Sequence, residues 1–219
     1  MLTIEKIIHA QRVLEEAIFK TDVVRTSNFI DGYELYLKAE NLQKTGSFKI
    51  RGAYYKISRL SDEEKKRGVI ACSAGNHAQG VALAAQKNGI PALICLPEGA
   101  PISKVEATRS YGAELCLVPG VYDDAYNRAI ELKEERGLTF IHPFDDEDVN
   151  AGQGTIGLEI LQQVKDVDAV VVPVGGGGLI SGVAFAVKRM NPKVQVYGVQ
   201  ASGAASMVTS LHAHKIECL

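Results

Sequence analysis

Val69-Ile70-Ala71-Cys72-Ser73-Ala74-Gly75-Asn76-His77-Ala78-Gln79-Gly80 decides the fold class. Four apolar residues without period-2 alternation read as a strand buried on both faces, the mark of a parallel sheet. The small residues behind it open a helix over 75–87. The same build recurs twice downstream. A strand at 92–96 leads to a helix at 102–110, and a strand at 114–118 leads to a helix at 123–135 that Gly137 stops. An acidic linker or crossover follows at 144–149. Then come a helix marked by Ile156, Ile160, Leu161 and Val164, a strand at 169–174, a helix at 179–190, a strand at 194–199 and a last helix at 203–213. Upstream, Ile4, Ile7, Ile8, Leu14, Ala17 and Ile18 share one helical face, 34–39 is a short strand, and 47–58 is a helix with Ser47 as its N-cap. Strand–helix alternation predicts α/β layers with right-handed crossovers. Two open, mostly parallel three-layer units are expected: a small one at 51–145 and a large one made of 1–50 plus 146–219.

Composition fits an ordinary globular chain and excludes several functions. The 219 residues are 46% apolar and 23% charged. With 24 basic and 26 acidic residues, the net charge of −2 gives no reason to expect nucleic acid or an anionic membrane as partner. No apolar run reaches the ~20 residues of a membrane span. Residues 1–20 lack a signal-peptide core, so the N-terminus is expected to be mature and the location cytoplasmic. Cys72, Cys95, Cys116 and Cys218 lack metal-ligand spacing, and no metal site is expected. The first three sit in apolar runs and read as buried thiols. Glycine is the outlier, with 21 residues, and they cluster.

In open α/β sheets, ligands bind past the C-terminal ends of the strands. Two loops there are unusual: Ser73-Ala74-Gly75-Asn76-His77, and Gly175-Gly176-Gly177-Gly178 after the strand at 169–174. Four glycines at a helix start let backbone N–H groups converge on a phosphate. The bland alternative is close helix–sheet packing. No Walker-type Lys and Ser/Thr follow these glycines, and the next strand ends in Gln200 rather than an acid, which argues against a triphosphate or a dinucleotide. A formal G-x-G-x-x-G at Gly152, Gly154 and Gly157 follows an Asp-rich segment instead of a strand and reads as a decoy. A cofactor with one terminal phosphate remains. Lys49, beside Phe48 in the first turn of a helix, is placed for a lowered amine pKa and Schiff-base chemistry. A solvated surface lysine is the competing reading. Asn76 could bond an aromatic hydroxyl, and the loop's N–H groups a carboxylate, although an ordinary capped turn would look the same.

Ser47-Phe48-Lys49-Ile50-Arg51-Gly52-Ala53, Ser73 to Gly80 and the tetraglycine loop occur in the order seen in fold-type II pyridoxal-phosphate (PLP) enzymes, a tryptophan-synthase β-like architecture. The chain resembles their threonine/serine dehydratase group most. Pro97-Glu98-Gly99-Ala100-Pro101-Ile102-Ser103-Lys104 and Ala151-Gly152-Gln153-Gly154-Thr155-Ile156-Gly157 resemble it too. The likeness runs from about residue 5 to residue 199.

The resemblance implies PLP as cofactor, attached to Lys49 with Phe48 against its ring. It implies Asn76 on the ring hydroxyl, and Gly175, Gly176, Gly177 and Gly178 on the phosphate. It implies Ser73, Ala74, Gly75 and His77 around the carboxylate of a small β-hydroxy amino acid. The implied reaction is α,β-elimination from L-threonine or L-serine to 2-oxobutanoate or pyruvate and ammonia, by a homo-oligomer (dimer or tetramer). Serine racemase is the enzymatic alternative. In racemases resembling this family a serine stands where this chain has Ala74, and acidic metal ligands align with Gln200 and Ser206. Relatives continue past residue 219, which implies an incomplete large domain. A catalytically incompetent PLP-binding fragment is therefore the third reading.

Overall fold

A computed structural model describes residues 1–26 and 31–217; Cys218 lies outside them. The centre is a four-stranded parallel sheet of β3 (Val69–Cys72), β4 (Ala92–Pro97), β5 (Glu114–Val118) and β6 (Thr139–Phe140), in the order β5-β4-β3-β6. Cys72, Cys95 and Cys116 stand side by side in its register. Between the strands run α4 (Asn76–Asn88), α5 (Ile102–Ser110) and α6 (Tyr122–Arg136). Gly89 and Gly137 end α4 and α6 in the left-handed conformation that favours glycine.

A second parallel pair, β7 (Ala169–Pro173) and β8 (Gln195–Val199), brackets α8 (Gly178–Met190), and α9 (Ser206–Ala213) follows. Three helices pack between the two sheets: α1 (Ile4–Leu14), α2 (Lys49–Ser58) and α7 (Glu147–Gln163). β1 (Val23–Arg25) and β2 (Tyr36–Lys38) form a small antiparallel pair. The short α3 (Asp62–Arg67) opens on a Ser61–Glu64 capping box.

The structure departs from the sequence reading in four places. Ser47 does not cap α2: Phe48 stands at that position in helical conformation, and the buried Ser47 Oγ has no partner. The 144–149 stretch is only partly a linker, because Asp146 caps α7 by accepting from the N–H groups of Asp148 and Val149. Burial on both faces holds for β3 and β4 but not for the edge strand β5, whose Leu117 is 44% exposed. Finally, β1, α3 and β6 were not anticipated. They have three, six and two residues, too few to show a period.

Glycine's abundance has a packing cause. A Cβ on Gly152 would lie 2.5 Å from the Arg51 carbonyl oxygen, and one on Gly182 would lie 2.2 Å from the Asn150 carbonyl oxygen. Gly154 and Gly157 likewise face Gly182 and Val183 on α8. The G-x-G-x-x-G of α7 thus serves close approach of α2 and α8 to α7, not a ligand.

Candidate cofactor site

Lys49 opens α2 and is largely buried. Its Nζ donates to the Pro143 carbonyl at 2.8 Å and lies 5.4 Å from the centre of the Phe48 ring. Burial pushes its pKa down to about 8. Desolvation of the charged form is the cause, rather than the helix terminus that the sequence suggested. Gly80 holds α4 against this point: a Cβ there would sit 3.0 Å from the Lys49 carbonyl carbon.

Lys49 and Phe48 line a cavity of about 350 Å³ together with Phe144, Pro173, Gly175 to Gly178, Ile180, Val199 and Ala201. That volume lies at the small end of ligand pockets, which run roughly 300–1,000 Å³. Across from the amine, the tetraglycine loop enters α8. The first bond of that turn runs from the Ser181 N–H to the Gly177 carbonyl at 2.9 Å. Among the described residues, none of the six consecutive N–H groups from Gly175 to Ile180 has an acceptor. Gly177 and Gly178 are buried while Gly175 and Gly176 are exposed, so the run opens from the protein interior toward the cavity mouth with its donors free for an acceptor. The glycines differ in what they do. Gly177 has φ +92°, a Cβ on Gly176 or Gly178 would strike Phe144, and Gly175 faces open space. Close packing and N–H groups without acceptors are both present in one loop.

The second loop does not line this cavity. Ser73 Oγ accepts from the Gly75 N–H at 3.1 Å, and the N–H groups of Ala74, Asn76, His77 and Ala78 have no acceptor among the described residues. Asn76 is exposed, and its Oδ1 accepts from Lys104 Nζ at 3.3 Å. His77 is buried, with Nε2 donating to the Ile141 carbonyl at 2.8 Å. Burial holds its pKa down to about 3, so the ring is neutral, and nearby Lys49 and His142 add to the effect. Any part His77 plays in anion binding falls to its backbone N–H.

Sequence reasoning missed Phe144 and the Pro143 carbonyl. They lie in the stretch before α7, whose acidic character masks them. Among the described residues, no cluster of His, Cys, Asp or Glu suits a metal, and no helix is long and apolar enough to cross a membrane.

The parallel α/β fold thus brings a largely buried lysine and a glycine-rich strand–helix junction into one cavity. The chain belongs to the pyridoxal-phosphate dependent enzymes, a family that matches residues 14–219. It is 56% identical over 219 residues to the L-threonine ammonia-lyase of Thermotoga maritima, covering 99% of this chain and 55% of that protein. Its fold resembles maize serine racemase with a TM-score of 0.96 at 40% identity, covering 100% of this chain and 67% of that one. Threonine deaminase isoform 2 from Solanum lycopersicum gives 0.94 at 43% identity, covering 99% and 64%. The chain thus spans little more than half the length of the Thermotoga maritima relative.

The residues present fit the family's cofactor: an amine of lowered pKa for its aldehyde and an unpaired N–H cradle for its phosphate.

Proposed function

We propose that this chain forms the cofactor- and carboxylate-binding part of an L-threonine and L-serine ammonia-lyase. The observation that carries the proposal is one cavity containing Lys49 Nζ and six N–H groups without acceptors. PLP, when bound, supplies an electron sink for the electron pair left at the substrate's α-carbon. Lys49 is the attachment point. When free, its Nζ would be the base that removes the α-proton. A pKa of about 8 leaves a useful neutral fraction near pH 7. Gly175 to Gly178 hold the phosphate through N–H groups, and Phe48 lies beside Lys49. The N–H groups of Ala74, Asn76 and His77 hold the substrate carboxylate. Asn76 would leave Lys104 to reach the ring hydroxyl. Residues 51–145 would act as the small unit, and 1–50 with 146–219 as the large one, in a cytoplasmic homo-oligomer.

A serine-racemase reading has one observation in its favour, the 0.96 TM-score to the maize enzyme. Against it, Ala74 offers a methyl group with no proton to exchange at the loop where the carboxylate would bind.

The test separates capture from turnover. The wild-type chain with PLP should show the visible absorbance of a lysine Schiff base, and Lys49→Ala should abolish it. Production of 2-oxobutanoate from L-threonine should then exceed racemisation of L-serine. An unchanged absorbance band in Lys49→Ala would sink the assignment of the lysine. Cofactor capture without any turnover would reduce the chain to a binding fragment. Faster racemisation than deamination would favour the alternative.

A further inference from the structure

The turn before α7 is built around one imidazole. His142 Nδ1 accepts from two backbone N–H groups, Asp145 at 2.7 Å and Phe144 at 3.3 Å. A ring nitrogen that accepts carries no proton, so the ring is in its Nε2–H form here. The two bonds fold residues 142–145 back on themselves. That fold does two things at the cavity. It aims the Pro143 carbonyl at Lys49 Nζ, 2.8 Å away. It also sets the Phe144 ring against the tetraglycine loop, where a Cβ on Gly176 would fall 2.5 Å from a ring carbon. The His142 and Phe144 rings meet edge to face at 4.7 Å, and Phe140 flanks His142 from β6 at 6.1 Å.

The geometry points to His142 as a positioning residue: one imidazole nitrogen sets both the resting place of the Lys49 amine and the wall of the phosphate cradle. It does not line the cavity, so its effect passes through Pro143 and Phe144. The inference rests on the proposed cofactor chemistry of Lys49.

The residue's role is an acceptor at the Nδ1 position, and Asn Oδ1 can stand there. The test therefore compares wild type, His142→Asn and His142→Ala as full chains. PLP is added, borohydride traps what has reacted, and mass spectrometry reads the rate of labelling at Lys49. Amide hydrogen exchange at Phe144 and Asp145 is measured on the same proteins without cofactor. A displacement near 1 Å at a reacting group can cost on the order of a hundredfold, so His142→Ala should label Lys49 about ten- to a hundredfold more slowly. His142→Asn should label within a few-fold of wild type and keep the two amides protected. Equal labelling of wild type and His142→Ala would overturn the inference while leaving the cofactor reading intact. So would equal losses in both variants with normal melting, because the acceptor would then not be the cause. No labelling of Lys49 in the wild-type chain would overturn the cofactor reading, and this inference with it.

Discussion

Lys49 and Arg51 stand two residues apart on α2, both cationic and both withdrawn from water, and their protonation goes opposite ways. Arg51 is 0% exposed yet fully paired. Its Nε and Nη2 donate to Glu40 at 2.8 and 2.7 Å, and its Nη1 and Nη2 donate to Glu159 at 2.7 and 2.9 Å. Nη1 also reaches Thr155 Oγ1 at 3.0 Å. Its pKa is raised against the burial penalty by these partners. Lys49 meets a single peptide carbonyl and no carboxylate, and burial alone pushes it down to about 8. Burial therefore does not decide the charge of a cation here; the count of anionic acceptors does. One face of a single helix turn fixes a permanent charge that ties α2 to α7, while the neighbouring face keeps an amine that can lose its proton.

The hardest test of that contrast removes the paired cation. Arg51→Met keeps apolar volume but strands Glu40 and Glu159, leaving the Thr21 hydroxyl on Glu40 and Lys38, 2.6 Å from Glu159, to answer them. Breaking a buried pair from one side typically costs about 3–5 kcal/mol, because a desolvated charge is left behind. Urea denaturation of Arg51→Met should show a loss in that range. A loss under about 1 kcal/mol would mean that the network is wet, and that pairing does not explain the contrast.

How far the sequence disclosed this depends on distance along the chain. The tetraglycine loop was legible because its signature is local, whereas Lys49 stood level with a surface lysine until the order of several motifs along the chain singled it out. The β3–α4, β4–α5 and β5–α6 units were legible because apolar runs and terminal glycines are local. Arg51's partners were not, because Glu40 and Glu159 come to it from 11 residues before and 108 residues after. The contacts of Phe144 and His142 were hidden for the same reason: only the folded turn shows a ring against Gly176 and a ring nitrogen under two N–H groups. The capping box of α3 is local to Ser61 and Glu64, but the helix it starts has no buried residue and so shows no apolar face.

The second way to break the comparison removes the unpaired cation. In the PLP-free chain, Lys49 gives up its proton near pH 8, whereas the unfolded chain holds it to about 10.5. Between those values the unfolded state binds more protons, so stability rises with pH. Below pH 8 both states are charged and the full penalty stands. Lys49→Met should thus stabilise the cofactor-free chain at pH 7 by on the order of 1–3 kcal/mol. The gain should shrink as pH climbs from 8 to 10.5. A flat difference between the two proteins across that window would show that Lys49 is not desolvated, and it would remove the reason for its reactivity.

The finest test asks which of Arg51's acceptors matter. Thr155 Oγ1 receives Nη1 at 3.0 Å and donates to the Gly152 carbonyl at 2.7 Å within its own helix. Thr155→Val deletes the hydroxyl with little change of volume, but leaves the guanidinium its four bonds to carboxylate oxygens. A hydrogen bond involving a charged partner contributes about 1.5–3 kcal/mol, and a neutral one about 1 kcal/mol. Because Nη1 keeps Glu159, the loss should fall near 1 kcal/mol by urea denaturation. If Thr155→Val instead matches Arg51→Met, the hydroxyl would be organising the whole cluster, and the carboxylate count would no longer explain why the two cations of α2 part ways.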